Sequence, residues 1–336
     1  MRTLLAVLST CCSLLLAAPA TAAERPTDPL AHTYSIVARH PESGELGVAV
    51  QSHWFQVGTV VAWAEAGVGA VATQSFVEVS YGPQGLALLA GGWSPEEALA
   101  HLTEADEQRA VRQVAMVDAA GRVAAWTGER CIHAAGHQTG DGYSVQANLM
   151  EKETVWPAMA QAYEAALADP AKDFADALLA ALEAAEAEGG DIRGRQSAAM
   201  VIVAAKTTGT PWRDRHLDLR VDDHEDPLGE LSRLLVRHRA YEAMNAGDEA
   251  VAEGDFAAAL DLYSSAAEMA PDVVELPFWQ AVTLFVEGRE EEALPIFARV
   301  FAAEERWREL VPRLPKSGLL PDDPEKIEKI LAAGKE

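Results

Sequence analysis

The sequence predicts an α+β fold in which antiparallel sheets are layered with helices and are followed by an all-helical region. Between residues 33 and 223, short alternating apolar segments are separated by turn sequences, which is typical of strands joined in hairpins. Two helical segments, at residues 155–168 and 174–188, interrupt these strands. From residue 227 onward the pattern is helical and contains a repeat. Strands followed by helices and then by further strand favour sheets covered by helices.

The first 22 residues have the three parts of a secretory signal peptide. Arg2 supplies a positive charge, residues 4–16 are mostly apolar, and Ala20-Thr21-Ala22 offers a small-x-small cleavage pattern. The apolar run is shorter than the roughly 20 residues of a permanent membrane helix. We therefore expect export to the periplasm or the medium, with a buried N-terminal helix as the alternative. Residues 23–32 contain two prolines and no periodicity, and are expected to form a short leader.

Composition narrows the classes of partner. Hydrophobic residues make up 49% of the chain, which is enough for a substantial core. The formal net charge of −25 argues against binding nucleic acid or an anionic membrane, because both require basic patches. Only Cys131 remains once the signal peptide is removed, so neither an intrachain disulfide nor a cysteine-rich metal site is expected. No cofactor is expected.

The individual elements follow from local patterns. The first hairpin comprises strands at residues 33–39 and 46–52, joined by the turn cluster Pro41-Glu42-Ser43-Gly44. Ser94-Pro95-Glu96-Glu97 has the form of a capping box with proline at the first helical position, and so opens a helix. Further strands are predicted at residues 68–73, 113–117, 122–126, 143–149, 197–205 and 216–222.

The helical region from residue 227 to 336 contains a 34-residue repeat. GDFAAA begins at Gly254 and GREEEA begins at Gly288, and Tyr263 matches Phe297 at the same offset. This spacing resembles the tetratricopeptide repeat. It predicts two antiparallel helical hairpins between residues 236 and 303, with Gly254 at a tight turn and Ala259 at a close helix crossing. An ordinary pair of helical hairpins is the alternative. The groove of such an array would bind a peptide, a protein partner or the sheet domain itself.

Several motifs in the first two-thirds of the chain resemble one uncharacterised bacterial family, domain of unknown function 1028 (DUF1028). The resemblance extends over about residues 33–238. It rests on TYSIVAR at 33–39, GVAV at 47–50, GVGAVATQ at 67–74, SYGPQGL at 80–86, GHQTG at 136–140, QANL at 146–149, GDIRGRQSAA at 190–199 and VDDH at 221–224.

That family is grouped with the N-terminal-nucleophile hydrolases, so the resemblance implies a four-layer αββα sandwich over residues 33–226. In this group the nucleophile begins the first strand, and its own α-amino group acts as the base. An α-amine titrates near pH 7.7–8, which suits it to take a hydroxyl proton. The family pattern points to Thr33, which requires cleavage between His32 and Thr33. The proteasome-type lysine has no counterpart, because its position corresponds to about Glu65 and the next lysine is Lys152.

Other polar residues are expected to line a cleft at the Thr33 hydroxyl. Gln74 and Asn148 lie at or near the ends of predicted strands, where their amides can stabilise an oxyanion without carrying charge. Ser52 ends the return strand of the first hairpin. With Thr33, these three form the predicted catalytic set.

Substrate-binding candidates are Ser75, Asp191 and Arg195. Either Arg193 or Arg195 could bind a substrate carboxylate, or the Asp191–Arg195 stretch could be a structural ion pair at a turn. His216, Asp218 and Asp222 share one face of a predicted strand with Arg220, which is the pattern of a solvated edge rather than of a metal site. Cys131 is expected to be a buried core thiol, with a thiol nucleophile as the alternative.

The sequence therefore leads to two functional hypotheses. The first is an exported hydrolase that cleaves an amide bond in a small molecule or peptide through an acyl-enzyme on Thr33. The second is a non-catalytic exported binding or scaffold protein that uses the sandwich and the helical repeats to dock a partner. The N-terminal-nucleophile group often assembles, so a homo-oligomer remains open.

Overall fold

The computed structural model describes residues 30–335, so the expected signal peptide and most of the leader lie outside the described residues. Within the described part of the chain, eleven strands form two antiparallel sheets. In chain order the strands are β1 (Leu30–Ala31), β2 (Thr33–Arg39), β3 (Leu46–Ser52), β4 (Ala62–Glu65), β5 (Gly69–Phe76), β6 (Arg112–Asp118), β7 (Val123–Thr127), β8 (Gly136–Gly140), β9 (Tyr143–Ala147), β10 (Ser197–Val203) and β11 (Arg215–Val221).

Helices flank the sheets and make up the C-terminal part of the chain. They are α1 (Tyr81–Ala90), α2 (Pro95–Glu104), α3 (Val155–Leu167), α4 (Phe174–Ala187), α5 (Pro211–Asp214), α6 (Pro227–Glu253), α7 (Phe256–Met269), α8 (Glu275–Val286), α9 (Glu290–Ala303), α10 (Arg306–Leu310) and α11 (Pro324–Leu331). Over residues 30–335, none of these helices combines the length and the apolar character needed to cross a membrane.

Strand β2 lies inside the larger sheet rather than at its edge. The six-stranded sheet has the order β11–β10–β3–β2–β9–β8. In the five-stranded sheet, β5 pairs with β6 and β6 with β7, while β1 and β4 both pair with β5. Thr33 therefore begins a central strand, opposite Ser52 at the end of β3.

Alternation along the strands divides the sheet domain into three apolar layers. Val37 and Val48 point between the two sheets and pack with Val117 from the five-stranded sheet. The opposite face of the six-stranded sheet is covered by α3 and α4, where Ile36 meets Leu178. Helices α1 and α2 cover the outer face of the five-stranded sheet in the same way. Helices thus lie outside both sheets, as expected from the order of the elements.

Of the two helices that pack on the five-stranded sheet, local sequence signals predict α2 but not α1. Helix α2 begins at Pro95 with the predicted capping box, since Ser94 Oγ accepts from the Glu97 amide at 3.2 Å and the Ser94 amide donates to Glu97 at 2.8 Å. The sequence does not predict helix α1, because its first turns contain Gly82 and Gly85. A β-carbon on Gly82 would lie 2.3 Å from the Trp63 ring, so close packing requires a residue that disfavours helices.

The C-terminal helices form the two predicted hairpins. Gly254 caps α6 with φ of 81°, and α7 begins two residues later at Phe256. Ala259 is fully buried where α6 and α7 pack together. A β-carbon on Gly247 would lie 2.7 Å from the Tyr263 ring, which explains the small residue at this crossing. Gly288, with φ of 77°, similarly separates α8 from α9.

Helix α6 belongs to both parts of the chain. Leu228, Leu231 and Leu235 are buried in the core between α3, α4 and the six-stranded sheet. Ala240 and Met244, further along the same helix, are buried in the core of the helical region. The predicted boundary after residue 226 therefore separates the sheet domain from three of its own core residues.

Candidate active site

Thr33 lies at the start of β2 and is completely buried. Its hydroxyl donates to the carbonyl of Ala31 at 2.7 Å. Its own carbonyl accepts from the backbone amide of Asn148 at 3.1 Å and from the side-chain amide of Gln74 at 3.3 Å. The sequence predicts a hydroxyl that faces a cleft. In the structure, the preceding residues of the leader cover it.

Three neutral amide side chains meet beneath Thr33. Gln74 comes from β5, Gln113 from β6, and Asn148 follows β9. The Gln113 Oε1 accepts from Gln74 Nε2 at 2.7 Å and from Asn148 Nδ2 at 2.9 Å. All three are fully buried, so these bonds fix the amides that hold the backbone of Thr33.

A second row of polar residues continues this network between the sheets. Ser35 shares the inward face of β2 with Thr33, as the two-residue period of a strand requires. It donates to Gln74 Oε1 at 2.6 Å and accepts from Gln146 Nε2, also at 2.6 Å. Ser144 in turn donates to Gln146 Oε1 at 2.9 Å. Chains of buried hydrogen bonds polarise one another and hold a single geometry.

Two donors converge on the carbonyl oxygen of His32, which belongs to the peptide bond before Thr33. Ser52 Oγ donates to it at 2.5 Å and Arg193 Nη2 at 2.8 Å. Asp191, which is buried, holds the guanidinium through contacts of 2.7 and 3.0 Å. The His32–Thr33 peptide is therefore polarised by one hydroxyl and one orientated cation.

The side chain of His32 is also enclosed. Its Nδ1 lies 2.7 Å from Asn148 Oδ1, and the ring packs edge-on against Phe76 with 5.5 Å between centroids. Because an amide oxygen only accepts, Nδ1 carries a hydrogen. Burial lowers the pKa of this imidazole below its usual value, and the Arg193 charge lowers it further, against the hydrogen bond to Asn148 and the Asp191 charge.

The end of the leader is a strand, although its sequence shows no periodicity. Leu30 pairs with Phe76 and Ala31 with Ser75 at the end of β5. Leu30 and Ala31 thus belong to the five-stranded sheet, whereas Thr33 begins a strand of the other sheet. This pairing between distant residues could not be predicted from a two-residue segment.

The structure separates the predicted substrate-binding residues. Asp191 lies at the site through Arg193, and Ser75 lies beside β1 with an unusual φ of 75°. Arg195 points elsewhere, pairing with Glu186 at 3.4 Å and Asp226 at 3.3 Å. Of the two arginines that the sequence left open, Arg193 is the one at the His32 carbonyl.

Gln113 is the residue that sequence reasoning missed. It lies on β6 within no recognised motif, yet it makes the central contacts of the amide cluster. One sequence feature could have revealed it. Gln113 is a polar residue on a strand face otherwise occupied by Ala115 and Val117, which point into the layer between the sheets.

The remaining candidates have other partners. His216 contacts Glu45, Asp218 contacts Arg215 and Arg220, and Asp222 accepts from Gln56. Among residues 30–335, no group of three or more His, Cys, Asp or Glu side chains is arranged to hold a metal. The Cys131 thiol donates to the Arg112 carbonyl at 3.3 Å, and burial raises its pKa, which disfavours the nucleophilic thiolate.

Comparison with known proteins identifies the family. The family model described as "Family of unknown function (DUF1028)" matches residues 33–231, more than half of the chain, so the chain belongs to this family. A similar solved structure is that of protein SPO2555 from Silicibacter pomeroyi, described with the same family. The two chains are 33% identical, the match covers 61% of this chain and 88% of that one, and the TM-score is 0.54. No curated protein matches.

Proposed function

We propose that this DUF1028 protein is an exported N-terminal-nucleophile hydrolase that cleaves an amide bond with Thr33 after the His32–Thr33 bond is broken. The observation that carries the proposal is the pair of donors, Ser52 and Arg193, on the carbonyl of the peptide that precedes Thr33. Two antiparallel sheets with helices outside both, and a threonine at the start of a central strand, support assignment to the αββα sandwich of that group.

The same donors favour self-cleavage. In this proposal Thr33 Oγ1 attacks the carbonyl carbon of His32, and Ser52 and Arg193 stabilise the oxyanion. The C–N bond breaks, the hydroxyl proton ends on the Thr33 nitrogen, and an ester remains. Water then hydrolyses the ester to a His32 carboxylate and a chain that begins with free Thr33. One oxyanion donor typically contributes about 10²–10³ in rate.

Turnover would reuse these groups. The α-amine released at Thr33 becomes the base, and the substrate carbonyl takes the place of the His32 carbonyl. Thr33 Oγ1 forms an ester with the acyl carbon, the amine of the substrate leaves with a proton, and water releases the acid. Gln74 and Asn148 support this step by holding the Thr33 carbonyl.

Export is part of the proposal and rests on the signal-peptide pattern of residues 1–22. Those residues lie outside the described part of the chain. Signal peptidase would leave the leader of residues 23–32 in front of Thr33, so a second cleavage at His32–Thr33 is needed before the amine is free.

The test is the N-terminus and activity of protein exported by its native route. We expect intact mass to show a chain that begins at Thr33 and a screen of small amides and acylated amino acids to show hydrolysis. Thr33→Ala should abolish both cleavage and turnover, and Thr33→Ser should retain some of each. Thr59→Ala, at an exposed threonine, is the matched control. A mature chain that begins near Ala23 and still hydrolyses substrate would refute the mechanism.

A second function is favoured by an apolar groove in the helical region. Helices α6, α7 and α8, which belong to the hairpins that we assign as tetratricopeptide-like, form with Leu319 a cavity of 530 Å³ lined by Phe256, Trp279 and Val286. Val286 and Leu319 are 42% and 44% exposed. In this alternative the protein is a non-catalytic docking module. It becomes the better explanation if the mature chain keeps residues before Thr33 and hydrolyses nothing in the screen.

A further inference from the structure

The three described residues before Thr33 occupy a site with distinct requirements at each position. Leu30 and Ala31 pair as a strand with Phe76 and Ser75 at the end of β5, and the His32 amide donates to the Leu30 carbonyl at 2.9 Å. Leu30 is 41% exposed, Ala31 is fully buried between the sheets, and His32 is buried beside Phe76 and Asn148. The segment ends at the carbonyl that Ser52 and Arg193 hold.

The surroundings of each position determine which side chain a bound ligand can place there. The exposed first position tolerates any side chain. The second position is fully buried in the hydrophobic cluster between the sheets, so only a small side chain fits without displacing the core. The third offers an aromatic edge at Phe76 and a hydrogen-bond acceptor at Asn148, which suits a flat ring that carries an N–H.

We propose that this strand groove is the acyl-side binding site of the enzyme and that its substrate is a peptide. The peptide adds as a strand to β5, with a small residue second from the scissile bond and an imidazole-bearing residue at that bond. The excised leader, which ends in a His32 carboxylate, is then the first ligand of the site. This inference rests on the proposed function, because it places the scissile carbonyl between Ser52 and Arg193.

The chain that begins at Thr33 can be used to measure peptide binding, because its core is almost complete without the residues that precede Thr33. The family match begins at Thr33 itself. Of the described residues that precede Thr33, only Ala31 belongs to one of the hydrophobic clusters. Apart from Ala31, the residues of the hydrophobic clusters on both faces of each sheet therefore remain after cleavage.

The experiment measures binding of a fluorescent peptide, Pro-Leu-Ala-His with a free carboxylate, to the chain beginning at Thr33 by fluorescence anisotropy. Replacing leucine by serine should change Kd by less than about threefold, because that side chain is exposed. Replacing alanine by leucine, or histidine by glycine, should weaken binding about tenfold or more, through overpacking or loss of a buried contact. Equal affinity for all four peptides, or no saturable binding, would overturn the proposal.

Arg193 supplies the matched variant. Converting the peptide carboxylate to an amide should weaken binding to the wild-type chain about tenfold, since a charge-assisted contact is lost. The same change should have little effect with Arg193→Gln and its full effect with Arg195→Gln, whose side chain lies outside the groove. An undiminished effect in Arg193→Gln would refute the placement of the peptide carboxylate.

Hydrolysis of the corresponding peptide amide is measured separately, so that the two proposals can fail independently. Sequence-selective binding without hydrolysis would refute the proposed function and the assignment of a substrate, and would leave the groove as a peptide-binding site only. Hydrolysis of small amides without preference for a small residue followed by histidine would refute the groove assignment alone.

Discussion

Replacing Gln113 by methionine should show how strongly the buried amide cluster holds the site. The change keeps the length of the side chain and removes both polar atoms. Gln74 Nε2 then loses its 2.7 Å bond and Asn148 Nδ2 its 2.9 Å bond. Each keeps only contacts of 3.3 Å or longer, including those to the Thr33 carbonyl. A buried donor without a good partner costs about 1–3 kcal/mol, so we expect a loss of about 2–5 kcal/mol in the free energy of unfolding.

Urea denaturation of the full-length protein measures this loss. The control is Gln108→Met, at an exposed glutamine whose side chain makes no described hydrogen bond, and its effect should stay within about 0.5 kcal/mol. Cleavage at His32–Thr33 should also slow in Gln113→Met, because Gln74 and Asn148 position Thr33. A loss below about 1 kcal/mol with an unchanged denaturant slope would refute the argument that the cluster depends on Gln113.

Two further predictions concern the leader and helix α6. The pKa of His32 is lowered in the folded state. As the pH falls through about 6.5, the ordinary value, the unfolded chain therefore binds a proton at His32 more readily than the folded chain does. The free energy of unfolding of uncleaved Thr33→Ala protein should therefore fall from pH 7.5 to 5.5, and fall less when His32→Gln is added; equal slopes would contradict this. A chain ending at residue 226 lacks the core leucines of α6 and should aggregate in size-exclusion chromatography, whereas one ending at residue 239 should be monodisperse. A soluble, cooperatively folded chain ending at 226 would show that α6 is dispensable.

The fold could be predicted as far as local patterns determine it. Alternating strands, the capping box at Ser94 and the glycine turn at Gly254 are set by neighbouring residues, and the structure has each of them near its predicted position. Two features depend on residues that are distant in the sequence: helix α1, and the contribution of the first part of α6 to the core of the sheet domain. Gly82 is explained only by the Trp63 ring, and Leu231 only by the sheet domain that it helps to complete.

The candidate site shows the same division. The family resemblance and the positions at strand ends group Thr33 with Ser52, Gln74 and Asn148. In the structure these side chains lie together around the backbone of Thr33, at the carbonyls of His32 and Thr33. The choice between Arg193 and Arg195 could not be made from sequence, because the residues of a loop have no regular period that fixes where each side chain points. The leader's pairing with β5 was also beyond reach, since a strand of two residues has no period.

In the proposed mechanism, the chemistry of the site changes when the leader leaves. Among the described residues that hydrogen-bond to Thr33, the side-chain partners are the neutral amides of Gln74 and Asn148. The nearby Arg193 is compensated by Asp191, and the His32 ring belongs to the leader itself. While the His32–Thr33 bond is intact, the Thr33 nitrogen is an amide and cannot serve as the base in turnover; it takes a proton only as the C–N bond breaks. Cleavage would create beside that hydroxyl an α-amine, a group whose ordinary pKa lies near 7.7–8. The leader would then keep the enzyme inactive in two ways, by filling the acyl-side groove and by withholding the only base that the mechanism requires.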